Sequence, residues 1–299
     1  MLLAALLPVF LLQEPPLFHS DVRLVTVPCQ VADGGGAPVH DLRREDFRVF
    51  DNGVSREIGN LWLERDLPLT LGIVIDISAS QNDLISGHEG AVRHFIERVV
   101  RPGDRAFVVT VAADVILRSE FTGGPHGLRQ ALMPVTGQSL GVPCGRFANG
   151  RPICGGTALW NAIYASAQHI SRFTGSKALL ILSDGNDTGS THTPEAATEA
   201  AQRANASVFA IQYPDAVSGF GESGRMLRMT SLTGGMLLRA PAEEPVAMLH
   251  AIEADLRSRY VIGFYAEPGH SAGGVHSIRV EATRPGLTVR ARQEYFEEQ

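Results

Sequence analysis

The apolar positions of this chain change their rhythm twice. Between residues 21 and 64 they come in short runs with partial alternation: Val22, Leu24, Val25, Val27 and Val31, then Phe47, Val49 and Phe50, then Ile58, Leu61 and Leu63. Alternation marks half-buried strands, because successive side chains of a strand point to opposite faces. DGGGAP at 33–38 and Asp51-Asn52-Gly53 separate the runs, and the second is a strong hairpin signal. At Pro68 the pattern changes. LTLGIVIDIS is almost wholly apolar, as strands covered on both faces of a parallel sheet are. From there apolar strands alternate with amphipathic segments. Residues 84–100 carry Ile85, Val92, Phe95, Ile96 and Val99 at helical spacing, and Pro102-Gly103-Asp104 leads out to the strand AFVVTVA. VILRSEF follows after a tight connection and is expected to pair antiparallel. Residues 157–172 read as helix, KALLILSD as a buried strand, and Thr193-Pro194 as an N-cap with Pro at N1 of a helix running through Ala206. SVFAIQY, a short helix at 225–233, GMLLRA and a helix at 245–258 complete the series. After Arg259 three strand-like runs return, YVIGFYA, HSIRVEATR and LTVRARQEYF.

Alternating β and α predicts an α/β fold: a doubly wound, mostly parallel sheet with one antiparallel edge strand. Three short strands alone make a poor domain. The flanking β segments, 19–65 and 260–299, are therefore expected to pack together as one small β-sandwich, with the α/β domain of residues 66–259 inserted between them. A chain of 299 residues, 44% hydrophobic and 19% charged, is long enough for both cores. A net charge of −6 argues against a general nucleic-acid binder, which shows a basic face.

Residues 1–12, MLLAALLPVFLL, are continuously apolar. The run is short of the roughly 20 residues of a spanning helix and fits the h-region of a signal peptide over residues 1–18. No Lys or Arg precedes it and no A-x-A site follows, so a buried strand or a mis-set start is the alternative. The signal peptide implies export to the periplasm, the cell envelope or the medium, with no transmembrane span in the mature chain. Cys144 and Cys154 bracket the polar loop GRFANGRPI without a C-x-x-C pair or a His cluster, which speaks against zinc. In an oxidising compartment a disulfide between them would tie down the segment before Thr157; in a reducing one they are unrelated thiols. Cys29, in an apolar run, reads as a small core residue.

The candidate chemistry sits at strand ends. The first parallel strand closes on Asp76-Ile77-Ser78-Ala79-Ser80, and KALLILSDG places Asp184 at the end of another. Gly155-Gly156-Thr157 opens a helix and offers a third hydroxyl. Open α/β sheets bind ligands at the carboxyl ends of their strands, and hard divalent cations take oxygen ligands. Each piece occurs by chance; their joint placement in this order is the signal.

These segments, DISAS, GGTALWNAI and LILSDGND, resemble the metal-ion-dependent adhesion site of von Willebrand factor type A domains over residues 68–259. With the flanks DLRREDFRVFDNGVSREI and HSIRVEATRPGLTVRARQEYF, nearly the whole chain resembles the exported von Willebrand A-related proteins of acidobacterial type. The resemblance implies that Ser78 and Ser80 ligate Mg²⁺ (or Mn²⁺) through their hydroxyls and that Thr157 ligates directly or through water. It implies that Asp76 and Asp184 hold metal-bound waters, and that an Asp or Glu of a protein partner completes the octahedron. The function implied is adhesion or protein binding without catalysis. Gln81, where many relatives carry Met, and the long Cys144–Cys154 loop depart from the pattern. The alternatives are an envelope-assembly module whose site is unused, or a serine hydrolase. For the latter, Gly137-Gln138-Ser139-Leu140-Gly141 matches G-x-S-x-G but lies in a loop, whereas a nucleophile elbow follows a strand. The G-x-G-x-x-G match at 219–224 falls several residues beyond its strand and reads as a loop. His192 reads as a loop residue, and Trp62 and Trp160 as packing residues.

Overall fold

The computed structural model describes residues 23–64, 68–78, 94–122, 145–146, 152–153, 156–214, 223–239, 245–266 and 274–296. The chain opens with β1 (Arg23–Ala32), β2 (Phe47–Asp51), β3 (Val54–Arg56) and β4 (Ile58–Leu63). The Asp51-Asn52-Gly53 turn joins β2 to β3, with Asn52 and Gly53 at φ of 50° and 80°. Such left-handed values are reached at low cost by Asn and Gly.

The α/β unit follows with β5 (Leu69–Asp76), helix α1 described over 94–99, β6 (Arg105–Val111) and β7 (Val115–Thr122). Next come the short ribbon of β8 (Gly145–Arg146) and β9 (Pro152–Ile153), helix α2 (Leu159–Ile170) and β10 (Ser176–Ser183). Helix α3 (Pro194–Arg203), β11 (Ser207–Gln212), α4 (Ser223–Leu232), β12 (Leu237–Arg239) and α5 (Pro245–Ser258) complete it. The sheet order is β12-β11-β10-β5-β6-β7, parallel throughout except for the antiparallel edge strand β7. Every residue of β5 is buried, which is why its sequence shows no alternation. Its two faces still divide. Leu71, Ile73 and Ile75 pack under α1 and α5, while Val74 packs with α2, α3 and α4 on the other side.

The chain then returns through β13 (Tyr260–Ala266), β14 (Val275–Ala282), β15 (Thr288–Ala291) and β16 (Glu294–Phe296). Two four-stranded sheets, β15-β1-β13-β4 and β16-β14-β2-β3, combine strands from both ends of the described chain around a core of Val27, Val49, Phe47, Tyr260, Ile262 and Phe264. Cys29 is wholly buried there, and burial pushes its thiol up to about 12, so it is an unreactive core residue.

Two details differ from the sequence expectation. LTVRARQEYF divides into β15 and β16, because the chain crosses from one sheet to the other at Arg292-Gln293. The crossing is held by Ile278 N donating to Gln293 O (2.7 Å) and Gln293 N to Leu232 O (3.3 Å). Helix α3 stops at Arg203, with Asn205 turning the chain at φ 54°. Of the two packing tryptophans, Trp160 is in the core and Trp62, 40% exposed, lies against Gly263 of the neighbouring strand. The segment 1–22 expected as a signal peptide, and Cys144 and Cys154 of the expected disulfide, lie outside the described residues. No described helix is long and apolar enough to cross a membrane.

A buried ionic cluster joins the two units where the chain passes between them. Arg259 Nε donates to Glu64 Oε2 (2.6 Å) and Nη1 to Ser207 Oγ (2.7 Å); the Ser176 hydroxyl donates to Glu64 as well. Asp255 lies beside Arg259 at 3.9 Å and pairs with Arg290.

Candidate metal centre

Strand order places the site. From β5 the chain moves outward on one side to β6 and β7. It then returns through α2 to β10 on the opposite side of β5 and winds outward to β11 and β12. The β5/β10 pair is thus the topological switch point, where a crevice opens at the carboxyl ends of the strands. Asp76 ends β5, and Asp184 follows the last residue of β10.

Both carboxylates are nearly inaccessible, Asp76 at 2% and Asp184 at 1% exposure, and Ser78 and Thr157 are buried with them. Asp76 Oδ1 accepts from Ser78 N (2.9 Å), which bends the chain after β5 back over its own strand end. Asp76 Oδ2 accepts from the Ser183 hydroxyl (2.6 Å) across the switch point. The same hydroxyl oxygen accepts from Gly185 N (3.0 Å), and Asp184 Oδ1 accepts from Asn186 N (2.8 Å). Gly185 has φ +87°, and a Cβ there would stand 2.8 Å from Met226 Sδ, so the turn after Asp184 requires glycine. Asp184 O accepts from Gln212 Nε2 (2.8 Å), and Gln212 Oε1 accepts from the Ser223 hydroxyl (2.8 Å) at the start of α4. Burial raises the Asp76 carboxyl to about 6, against the hydrogen bonds from Ser183 and Ser78 that lower it; the neighbouring Asp184 charge adds to the rise.

Thr157 lies in the turn before α2, two residues short of the helix. Its N donates to Thr188 Oγ1 (3.0 Å), and its carbonyl accepts from Thr188 N and Gly189 N, both at 3.0 Å. The start of α2 has no cap from its own preceding residue. Its free N–H groups are instead met by the loop after β10: Trp160 N donates to Asp187 Oδ1 (3.3 Å) and Asn161 N to Ser190 Oγ (3.0 Å). Asp187 also accepts from the Ser190 hydroxyl (2.6 Å), and Asn161 Oδ1 accepts from Thr191 N and His192 N. The His192 ring stacks on Tyr164 at 3.8 Å. So Thr157 and Asp184 sit on two segments tied into one unit. Asp187→Ala is expected to cost about 1–2 kcal/mol, the scale of a lost cap. Urea denaturation measures it, and a change under about 0.5 kcal/mol would show that the cap carries little.

The structure therefore brings Asp76, Ser78, Thr157 and Asp184 to one end of the sheet; Ser80 lies outside the described residues. Ser183, Asp187, Thr188 and Gln212 hold the site and were missed from the sequence. The signals for them were a polar residue ending an apolar strand, in LILSD and SVFAIQ, and a run of hydroxyls and acids after Asp184. Among the described residues no three His, Cys, Asp or Glu cluster as metal ligands do. The donor set is two carboxylates with hydroxyl oxygens, which fits a hard, oxygen-preferring divalent cation. Of the other candidates, Ser139 lies outside the described residues, and Ser223-Gly224 of the glycine-rich match begin α4.

No protein-family model and no curated protein sequence matches the chain. Solved structures do. Proximal thread matrix protein 1 from the mussel byssus aligns with TM-score 0.53 and 14% identity, covering 70% of this chain and 51% of that one. The same mussel protein with a zinc-occupied MIDAS (metal-ion-dependent adhesion site) motif aligns with TM-score 0.50 and 14% identity, over 71% and 50%. This chain thus spans about half the length of the mussel protein. A von Willebrand factor type A structure from Catenulispora acidiphila aligns with TM-score 0.47 and 12% identity, over 93% and 74%. With five parallel strands, one antiparallel edge, helices on both faces and a switch point between β5 and β10, this chain has the von Willebrand factor type A fold.

Proposed function

We propose that this chain is a protein-binding module that works through a divalent cation held at the β5/β10 switch point. What supports this reading is that Asp76, Ser78, Thr157 and Asp184 are all buried and lie at or beside the carboxyl ends of β5 and β10, where such sheets present ligands. Ser78 and Thr157 would offer hydroxyl oxygens to the ion, with Ser80 completing the set. Asp76 and Asp184 would hold water on it. Mg²⁺ or Mn²⁺ suits such oxygens, and the zinc-occupied motif of the mussel protein supports a divalent ion at the corresponding place. A cation with few direct anionic ligands stays strongly electrophilic, so a carboxylate of a partner's Asp or Glu is drawn to its open position. We read the protein as a binder and not an enzyme. The apolar run of residues 1–12 supports action outside the cytoplasm, in the periplasm, the envelope or the medium.

The test is calorimetric titration of the full chain with Mg²⁺, beside a pull-down from envelope extract in Mg²⁺ and again in EDTA. Binding heat and a partner retained only with Mg²⁺ are expected. Absence of heat sinks the metal site. A partner held equally in EDTA overturns the bridging role and leaves the β-sandwich as the binding element.

A further inference from the structure

Strand β7 is the antiparallel edge of the α/β sheet, and among the described residues no strand pairs with its other side. It starts at the same end of the sheet as the candidate metal centre, because β6 ends there and the chain turns back at Ala112, Ala113 and Asp114. That turn is fastened to the centre on both sides. Ile77 N, next to Ser78, donates to Val111 O (2.8 Å), and Ala158 N, next to Thr157, donates to Ala112 O (2.8 Å). Strand β7 is the second strand out from β5. At the usual spacing of about 4.8 Å its first residues lie about 10 Å from the strand end that carries Asp76.

Those first residues are unusual for a surface. Val115, Ile116 and Leu117 are 36%, 43% and 42% exposed. They alternate between the two faces of the sheet, so this edge lies beyond the cover of the helices on both sides. An open edge strand is a template for pairing and is ordinarily blunted by bulges and charges. Strand β7 carries both devices, but only in its lower half. Its register against β6 shifts between Leu117 and Ser119 and again between Ser119 and Thr122. Arg118 and Glu120 stand in that half, and both are engaged within the chain: Arg118 Nε donates to Thr110 Oγ1 (2.8 Å), and Glu120 meets His169 (3.4 Å). From Val115 to Leu117 the pairing with β6 is regular, and the strand is apolar and unguarded.

The unguarded half is the one continuous with the metal centre. An open edge accepts an extended segment through main-chain hydrogen bonds, and aliphatic residues on the strand select aliphatic residues opposite them. Antiparallel pairing is the tighter kind. Since β7 runs away from the centre, an antiparallel segment runs toward it, so its aliphatic residues come first and its acid after. The remaining 10 Å or so is about three residues of extended chain. We infer that the partner carries its metal-binding Asp or Glu about three residues after a short aliphatic strand, which pairs along Val115, Ile116 and Leu117. This rests on the metal-dependent binding proposed above and adds the kind of sequence that the site accepts.

The test is calorimetry on the full chain, first with Mg²⁺ alone and then with peptides in Mg²⁺. The probe is Val-Ile-Val-Gly-Gly-Glu, both ends blocked so that Glu is its one carboxylate. It should bind, with Val-Ile-Val-Gly-Gly-Gln, Ser-Thr-Ser-Gly-Gly-Glu and the probe in EDTA each at least tenfold weaker. Ile116→Ser and Leu117→Ser, both at exposed positions, should each weaken the probe about fivefold and leave the Mg²⁺ heat unchanged. Absence of Mg²⁺ heat removes the metal reading and this inference with it. With Mg²⁺ heat present, no binding of the probe, equal binding of either control peptide, or undiminished binding by both variants overturns this inference alone. Self-association of the chain that either variant abolishes would assign the edge to a second copy, and overturns it as well.

Discussion

Replacing Arg259 by methionine is expected to lower the free energy of unfolding by about 3–5 kcal/mol. The side chain is 1% exposed, and its partner Glu64 is 2% exposed. Methionine fills part of the volume but leaves the Glu64 carboxylate buried, with only the Ser176 hydroxyl against it. It also strips Ser207 Oγ of its donor and removes the guanidinium that lies 5.4 Å from the centre of the Phe209 ring. Breaking one side of a buried pair is far costlier than removing both. The double variant Arg259→Met/Glu64→Leu should therefore recover much of the loss. Urea denaturation of the two variants gives the comparison. A single-variant loss under about 1 kcal/mol, or a double variant no better than the single, would show that the pair is not the clamp described here.

The second large effect is one of pH. Asp76 is raised from 3.8 to about 6 by burial. Protonated, it costs the fold nothing relative to the unfolded chain; ionised, it is a buried charge. Its contribution to stability is fully present below pH 3.8 and is lost as pH rises through about 6. A shift of that size corresponds to about 3 kcal/mol. In EDTA, Asp76→Asn should match the wild type at pH 4 and be more stable at pH 7.5, by up to about 3 kcal/mol. Asn keeps an acceptor for Ser78 N, so the difference reports charge and not shape. Adding Mg²⁺ at pH 7.5 should stabilise the wild type and leave Asp76→Asn unmoved. Parallel stability curves for the two proteins from pH 4 to 7.5 would mean that Asp76 is not held in this state. Chemical denaturation across pH measures both.

The alternation of apolar strands and helices was readable because buried parallel strands are continuous apolar runs, and the β5 and β10 runs each ended in Asp. Periodicity reports burial and direction; it carries no strand order. The step that makes Asp76 and Asp184 neighbours, β10 lying on the far side of β5 from β6, comes from the right-handed crossovers of the sheet and not from any local pattern. The supporting residues were hidden for a related reason. Ser183 and Gln212 act across strands, and Asp187 caps a helix that begins 28 residues earlier in the chain, so no spacing rule finds them. The division of β15 from β16 was equally silent. Residues 287–296 keep one strand-like composition throughout, and the contacts at the crossing come from residues distant in sequence, Ile278 and Leu232.

The way the α/β unit is spliced into the sandwich also decides how the protein bears tension. The chain goes in after β4 and comes out into β13, and these strands are paired, with Leu63 opposite Tyr260 at the shared end. A pull applied to the α/β unit would therefore draw β4 and β13 in the same direction, with little sliding between them. The resistance falls on the other neighbour of β13. Strand β1 runs antiparallel to it through seven residue pairs, from Arg23–Ala266 to Cys29–Tyr260. Were the chain held at the N-terminal end of β1, the two strands would be loaded from opposite ends, so their hydrogen bonds would be strained in shear, all at once, instead of parting one by one like a zipper.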